Sequence, residues 1–234
     1  MTDERTIHEA KRAAARAALE ELPESGVIGL GSGSTSKLFI DEVGALVKAG
    51  RKLEGVPTSE GSRAQALALG IPLLSDDGPW VIDVTVDGAD EVDDALDLIK
   101  GGGAAHTREK IVSFASRRNV IIVDASKLSS RLGEKWPVPV EVLAFAHPMT
   151  ATHLARIGVP TLRTKDGKVV RTDAGNVIYD VRTGPIASPA ALDRSFRAIP
   201  GVVETGLFVG RCDRLIVADP AGVRRLEPPA RPAT

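Results

Sequence analysis

Three short runs of branched aliphatic residues in this chain each end abruptly in residues that can do chemistry, and this repetition limits the fold more than any other feature. Val27-Ile28-Gly29-Leu30 leads into Gly31-Ser32-Gly33-Ser34-Thr35, Val81 to Val86 into Asp87-Gly88-Ala89-Asp90-Glu91, and Asn119 to Val123 into Asp124, Ser126 and Lys127. Apolar runs without strict alternation suit strands buried on both faces, the habit of parallel strands covered by helices. Helical spacing fills the intervals. Ile7, Ala10, Ala14, Ala18 and Leu22 mark a helix over 6–22, and Phe39, Val43 and Leu46 mark the inner face of another. A third helix runs through Ala64, Leu67 and Ala68, and a fourth spans 104–117 with Ile111, Val112 and Ala115 turned inward. Residues 51–56 and 71–74 supply further short strands. The fold class is therefore α/β, an open, mainly parallel sheet covered by helices, which gathers its ligand groups beyond the carboxyl ends of its strands.

Composition narrows the setting. At 234 residues the chain can bury a full core in one or two domains, and with 3% aromatic residues that core must be aliphatic. Thirty basic and 31 acidic residues leave a net charge of −1, and the cations are dispersed rather than collected in a stripe, so neither nucleic acid nor an anionic membrane is an expected partner. A single cysteine, Cys212, excludes an intrachain disulfide. No long apolar run and no secretory pattern is present, so a cytoplasmic setting is expected.

From Gly133 the texture changes. Trp136-Pro137-Val138-Pro139-Val140-Glu141-Val142 reads as a linker entering an edge strand, since proline is poorly tolerated inside a sheet. A helix over 147–157, strands over 161–163, 168–171 and 176–181, and a helix over 189–199 make a small α+β module with two helices on one face of a mainly antiparallel sheet. Leu207-Phe208-Val209 and Leu215 to Ala218 suggest a return to the first domain, Val223 to Leu226 a final edge strand, and the proline-rich stretch after Glu227 a loose end. The division expected is 1–133 plus 206–234 for the main α/β domain and 134–205 for the small one.

The densest chemistry lies in 81–110, where the acidic turn after Val86, Lys100 before Gly101-Gly102-Gly103, and the helix bearing Glu109 follow one another. Three successive glycines are costly to order, so they imply an unusual backbone geometry or a close approach. An acidic surface turn followed by a helix-starting loop competes with an active-site floor that moves protons on a small phosphorylated substrate. The loop at 31–35 places backbone N–H groups at a helix start, where an anion can sit. It shares two leading glycines with the dinucleotide fingerprint, and Glu54 lies near the distance of a ribose ligand, but Ser36 occupies the third glycine position. A phosphate loop, a nicotinamide site and a structural turn all remain open on pattern alone, with Ser32, Ser34 and Thr35 favouring phosphate. The acids between Asp83 and Asp97 show no two-metal spacing, and the histidines at 8, 106, 147 and 153 are scattered, so no metal is expected.

Seven strings carry a family resemblance: GSGST at 31–35, GVPTS at 55–59, VDGADE at 86–91, IKGGG at 99–103, REK at 108–110, DASK at 124–127 and IPGVVETGLF at 199–208. In this order they resemble ribose-5-phosphate isomerase type A over about residues 5–227. The resemblance implies interconversion of D-ribose 5-phosphate and D-ribulose 5-phosphate in the nonoxidative pentose phosphate pathway, without metal or organic cofactor, by a homodimer or a tetramer of dimers. It implies a substrate loop of Ser32, Gly33, Ser34 and Thr35, a carboxylate turn of Asp87, Gly88, Ala89 and Asp90, and a contact segment of Lys100, Gly101, Gly102 and Gly103. Glu109 resembles the proton acceptor, Lys127 a further substrate ligand and Lys11 an N-terminal lysine near the ligand. His106 departs from the family pattern, where an apolar residue is more usual.

The chemistry fits these residue types. Aldose–ketose isomerisation moves a proton between neighbouring carbons through an enediolate, and one carboxylate such as Glu109 can make both transfers. Lys100 can favour the developing oxyanion, Asp87 can orient hydroxyls and assist ring opening, and Asp90 suits orientation. Two alternatives are a sugar-phosphate deaminase, which would release ammonia, and a noncatalytic sugar-phosphate-binding effector domain, disfavoured by the lack of a separate N-terminal DNA-binding segment.

Overall fold

The computed structural model describes residues 4–229. Helix α1 (Glu4–Ala17) runs into a single 3-10 turn over Ala18–Glu21, and Ala10, Ala14, Ala18 and Leu22 form its buried stripe. Strand β1 (Ser25–Leu30) passes through Gly31–Gly33 into α2 (Ser34–Lys48), and β2 (Lys52–Pro57) into α3 (Glu60–Ala68). The last is capped at Ser59, whose hydroxyl accepts from the Ser62 N–H while the Ser62 hydroxyl accepts from the Ser59 N–H, a reciprocal capping box. Then come β3 (Val84–Asp87), the short β4 (Glu91–Val92) and β5 (Leu98–Ile99), α4 (His106–Ala115) and β6 (Asn119–Asp124). They are followed by β7 (Val138–Val142), α5 (His147–Leu154), β8 (Val159–Leu162), the hairpin β9 (Thr164–Lys165) and β10 (Lys168–Val169), β11 (Val177–Arg182) and α6 (Pro189–Arg197). Strands β12 (Val202–Thr205), β13 (Leu207–Phe208), β14 (Arg214–Asp219) and β15 (Gly222–Leu226) complete the chain.

Backbone contacts divide the described residues into two compact units, one of 4–89, 108–127 and 211–229, the other of 90–107 and 128–210. The first is built on a six-stranded sheet in the order β15-β14-β6-β3-β1-β2, parallel throughout except for the antiparallel edge strand β15. Its aliphatic core joins Ile28, Leu30, Val84, Val86, Val120, Ile122 and Ile216 of the sheet to Ala14 and Ala18 of the N-terminal helical segment and Phe39, Ile40 and Val43 of α2. Strand order reverses between β1 and β3, because the chain leaves β1 toward β2 on one side and returns to β3 on the other. Such a switch point opens a crevice at the carboxyl ends of the two strands.

The second unit holds a four-stranded antiparallel sheet, β12-β7-β11-β8, a small sheet β13-β5-β4, and the β9–β10 hairpin. Val138, Val140 and Val142 of β7 and Val177, Tyr179 and Val181 of β11 present one face. Leu154 of α5 and Leu192 and Phe196 of α6 pack into the same cluster.

Several expectations shift. Strand β7, expected at an edge because of Pro139, lies between β12 and β11. Proline is tolerated because β12 pairs with β7 only up to Thr205 opposite Val140, beyond a register shift after Val202. Pro139 then contributes its carbonyl, which accepts from the Gly206 N–H at 2.7 Å. Ile111, expected inward on α4, is 55% exposed; Val112 and Ala115 fill the cluster with Val56 and Ile82, and one helix cannot turn adjacent residues into the same narrow contact. Residues 71–74 form only a single bridge, Gly55 to Leu73, flanked by two backbone hydrogen bonds to Gly55. The segment 90–107 groups by its contacts with 128–210, and Leu207–Phe208 pairs with β5 rather than joining the first unit. The end of the chain read as loose falls partly on 230–234, outside the described residues.

Candidate active site

In the first unit, the turn after β1 and the end of β3 are locked together. The Asp87 carboxylate, 2% exposed, accepts at Oδ1 from the backbone N–H of Ser32 at 2.9 Å, the N–H of Gly88 at 2.7 Å and the Ser36 hydroxyl at 3.2 Å. Gly31 makes this possible. A Cβ there would lie 2.2 Å from Asp87 Oδ1 and 2.6 Å from its Cα, so no side chain fits between the strand ends. Gly33 follows at φ +94° as the residue preceding α2, and Ser34, Thr35 and Ser36 open the helix. Their N–H groups belong to a first turn with no preceding carbonyls to bond, which is where phosphate oxygens are bound most readily.

Side chains surround that turn. Lys11 of α1 donates from Nζ to the Ser34 hydroxyl at 3.0 Å, bringing a cation from the N-terminal helix to the loop. The Ser32 hydroxyl lies 2.7 Å from Thr58 Oγ1 and donates to Ser59 Oγ at 2.8 Å. Thr58 and Ser59 thus support the loop, a role not read from the sequence although the GVPTS string contains them. Ser36, which had counted only as a missing glycine, is completely buried and serves as a ligand of Asp87. Glu109 stands in the first turn of α4 and is 4% exposed. Lys127 ends the 3-10 turn Ala125–Lys127 that follows β6, half-buried.

The second unit carries the other segment. Strand β5 ends at Ile99, and Lys100, 4% exposed, donates its backbone N–H to the Gly206 carbonyl at 2.9 Å while its Nζ stands 5.4 Å from the centre of the Phe208 ring. Gly101 turns the chain at φ +111°, and a Cβ there would meet the His106 ring at 2.7 Å. His106, fully buried, packs directly behind the glycine turn and places Nε2 3.4 Å from the Glu204 carbonyl. Asp90 accepts the Gly102 N–H at Oδ2 at 2.7 Å, so its carboxylate shapes the loop. Within each unit the residues singled out in sequence are therefore neighbours: Lys11, Ser32–Thr35 and Asp87 in one, Asp90 and Lys100–Gly103 in the other.

An open parallel sheet with a helix-start anion loop at its switch point, and a buried carboxylate held beside that loop, is the architecture of α/β enzymes that take small anionic substrates. Comparison with known proteins narrows the class. The family model for ribose 5-phosphate isomerase A (phosphoriboisomerase A) matches residues 54–222. Ribose-5-phosphate isomerase A of Gloeobacter violaceus is 47% identical over 95% of this chain and 97% of its own. A D-ribose-5-phosphate isomerase solved in complex with phospho-erythronic acid superposes with a TM-score of 0.91 at 40% identity, covering 94% of this chain and 99% of its own. Ribose 5-phosphate isomerase A of Methanocaldococcus jannaschii gives 0.88 at 39%, over 94% and 98%. The chain belongs to the ribose 5-phosphate isomerase A family.

Proposed function

We propose that this chain interconverts D-ribose 5-phosphate and D-ribulose 5-phosphate through an enediolate, with Glu109, Lys100 and Asp87 as its catalytic residues. The observation that carries the assignment is burial: all three ionisable side chains are no more than 4% exposed, in a chain of this family. Burying a charged group costs free energy, and on a segment that carries the ligand groups a carboxylate or ammonium used in the reaction meets that cost.

The steps follow from the groups. Glu109 takes the proton from C2 of the open-chain aldose and returns it to C1, so one carboxylate serves both half-reactions. The Lys100 ammonium stabilises the oxygen on which negative charge develops. Asp87, held at Oδ1 by its three donors, orients the substrate hydroxyls and assists ring opening. The phosphate binds at the start of α2, at Ser32, Gly33, Ser34 and Thr35, with Lys11 supplying charge beside Ser34. Gly88, Ala89, Asp90, Gly101, Gly102, Gly103 and Lys127 complete the substrate contacts. The phospho-erythronic acid held by the solved relative is a phosphorylated sugar acid and supports a substrate of this class. No step calls for a metal or an organic cofactor. We further propose that the enzyme works in the cytoplasm and self-associates as a dimer or tetramer, which light scattering of the purified protein tests.

Glu109→Gln is the decisive variant. It keeps the length and hydrogen-bonding shape of the side chain but cannot accept the C2 proton, so turnover should fall by about 10²–10⁴-fold while ribose 5-phosphate still binds. Solvent-deuterium exchange at C2 followed by NMR, in metal-free buffer, reads the proton transfer directly. Normal exchange in the folded variant would move the base to Asp87.

A further inference from the structure

The triple-glycine turn is held by a side chain that the reaction chemistry does not use. Arg163 follows β8, and its backbone is fixed on both sides: its N–H donates to the Ile178 carbonyl at 2.9 Å and its carbonyl accepts from Val170 at 3.0 Å. Its guanidinium forks onto Asp180 of β11, with Nε donating to Oδ2 at 2.9 Å and Nη2 to Oδ1. The remaining Nη1 donates to the Gly101 carbonyl at 2.6 Å and the Gly102 carbonyl at 3.3 Å. The Gly101 carbonyl also accepts from the Ala104 N–H at 3.0 Å, and the Gly102 N–H is bound to Asp90. Donors and an acceptor thus grip both sides of the turn.

We propose that Arg163, oriented by Asp180, is a positioning residue for the isomerisation: it freezes the Gly101–Gly103 turn and thereby sets the direction of Lys100. Glycine loses more backbone freedom on ordering than any other residue, so three in succession make the least self-supporting segment beside a catalytic side chain. A planar fork can satisfy a carboxylate and two carbonyls at once; a lysine ammonium cannot reproduce that geometry. The clamp stands on paired strands of one sheet, with Asp180 opposite Thr161, so its own position is rigid. The side chains of Arg163 and Asp180 are only 13% and 24% exposed. A cavity of about 320 Å³ lined in part by Gly102, Arg163, Asp180 and Arg182 opens beside the pair, large enough for a guanidinium ion to reach the clamp.

This inference rests on the assignment of Lys100 above, and the test separates the two. Wild-type protein assayed with ribose 5-phosphate decides the activity itself. Given that activity, Arg163→Lys and Asp180→Asn, with unchanged circular dichroism, should lower kcat by about ten- to a hundredfold with KM nearly constant, because a displaced ammonium loses contact with the transition state more than with bound substrate. Arg163→Ala should behave likewise and regain turnover when guanidinium chloride is added at low, non-denaturing concentration, whereas sodium chloride at equal ionic strength should not restore it. Faster hydrogen–deuterium exchange of the Gly102 amide in the lysine variant should accompany the loss. Wild-type kcat in folded Arg163→Lys and Asp180→Asn would overturn the proposal. So would a loss of thermal stability with kcat per folded molecule unchanged and no response to guanidinium.

Discussion

Ser32, Ser36 and Gly88 all donate to one oxygen of Asp87, and this is achieved only because Gly31 lets the two strand ends close on each other. The glycine is therefore part of the carboxylate's geometry. Gly31→Ala is expected to destabilise the protein by about 1–3 kcal/mol, the usual cost of forcing a methyl group into a packed site, and to lower turnover further than stability alone explains. Urea denaturation and steady-state kinetics on the same preparation check both. A similar contact operates at Gly101, where the His106 ring occupies the space a Cβ would take. His106 packs against the turn as an apolar side chain could, while adding a polar atom near the Glu204 carbonyl.

At the scale of elements, β7 shows how a strand carrying a proline and an acid can lie inside a sheet. Glu141, 1% exposed at its centre, accepts at Oε1 from the Thr172 hydroxyl and the Asn176 amide, each at 2.8 Å, and at Oε2 from the Thr107 hydroxyl. The strand thereby anchors the turn 172–176 and the first turn of α4, two residues before Glu109. Glu141→Leu should cost about 3 kcal/mol, since it leaves buried donors without acceptors; Glu141→Gln should cost less, since a hydroxyl can rotate to accept from the new amide. Thermal denaturation of the two variants side by side measures the difference. Helix α4 itself carries two apolar stripes, and only that of Val112 is covered; Ile111 and Phe114 remain exposed, with the Arg211 guanidinium 4.3 Å from the centre of the Phe114 ring.

For the whole molecule, binding and folding are linked. A ligand that binds only the native state at a hundred times its dissociation constant adds about 2.7 kcal/mol of stability. In a chain of this length each kcal/mol moves the melting point by about 2–4 °C, so ribose 5-phosphate should raise it by roughly 5–11 °C. The Glu109→Gln variant is the suitable protein, because it binds without turning substrate over, and ribose without phosphate should give a much smaller rise. Differential scanning fluorimetry with both sugars reads the phosphate's share at the start of α2. An equal shift with ribose would sink the phosphate-loop assignment. Among the described residues no helix is long and apolar enough to cross a membrane.

Local pattern was enough to place the strands that matter. The runs ending at Leu30, Val86 and Val123 are short, rich in branched aliphatic residues and followed by polar turns, and they are buried on both faces toward their carboxyl ends, as a helix-covered parallel sheet requires. The ligand-bearing turns could be read for the same reason, since glycine-rich helix starts and acids at strand ends are contiguous in sequence. What pattern could not carry was anything settled by partners far along the chain. Whether Pro139 lies at an edge depends on β12, which arrives sixty residues later; whether Ile111 faces inward depends on which side of α4 meets Val56 and Ile82. Arg163 and Asp180 look like ordinary surface charges until two antiparallel strands bring them together and turn the guanidinium onto the carbonyls of Gly101 and Gly102. Periodicity encodes which face of an element is apolar, but only packing chooses what that face meets.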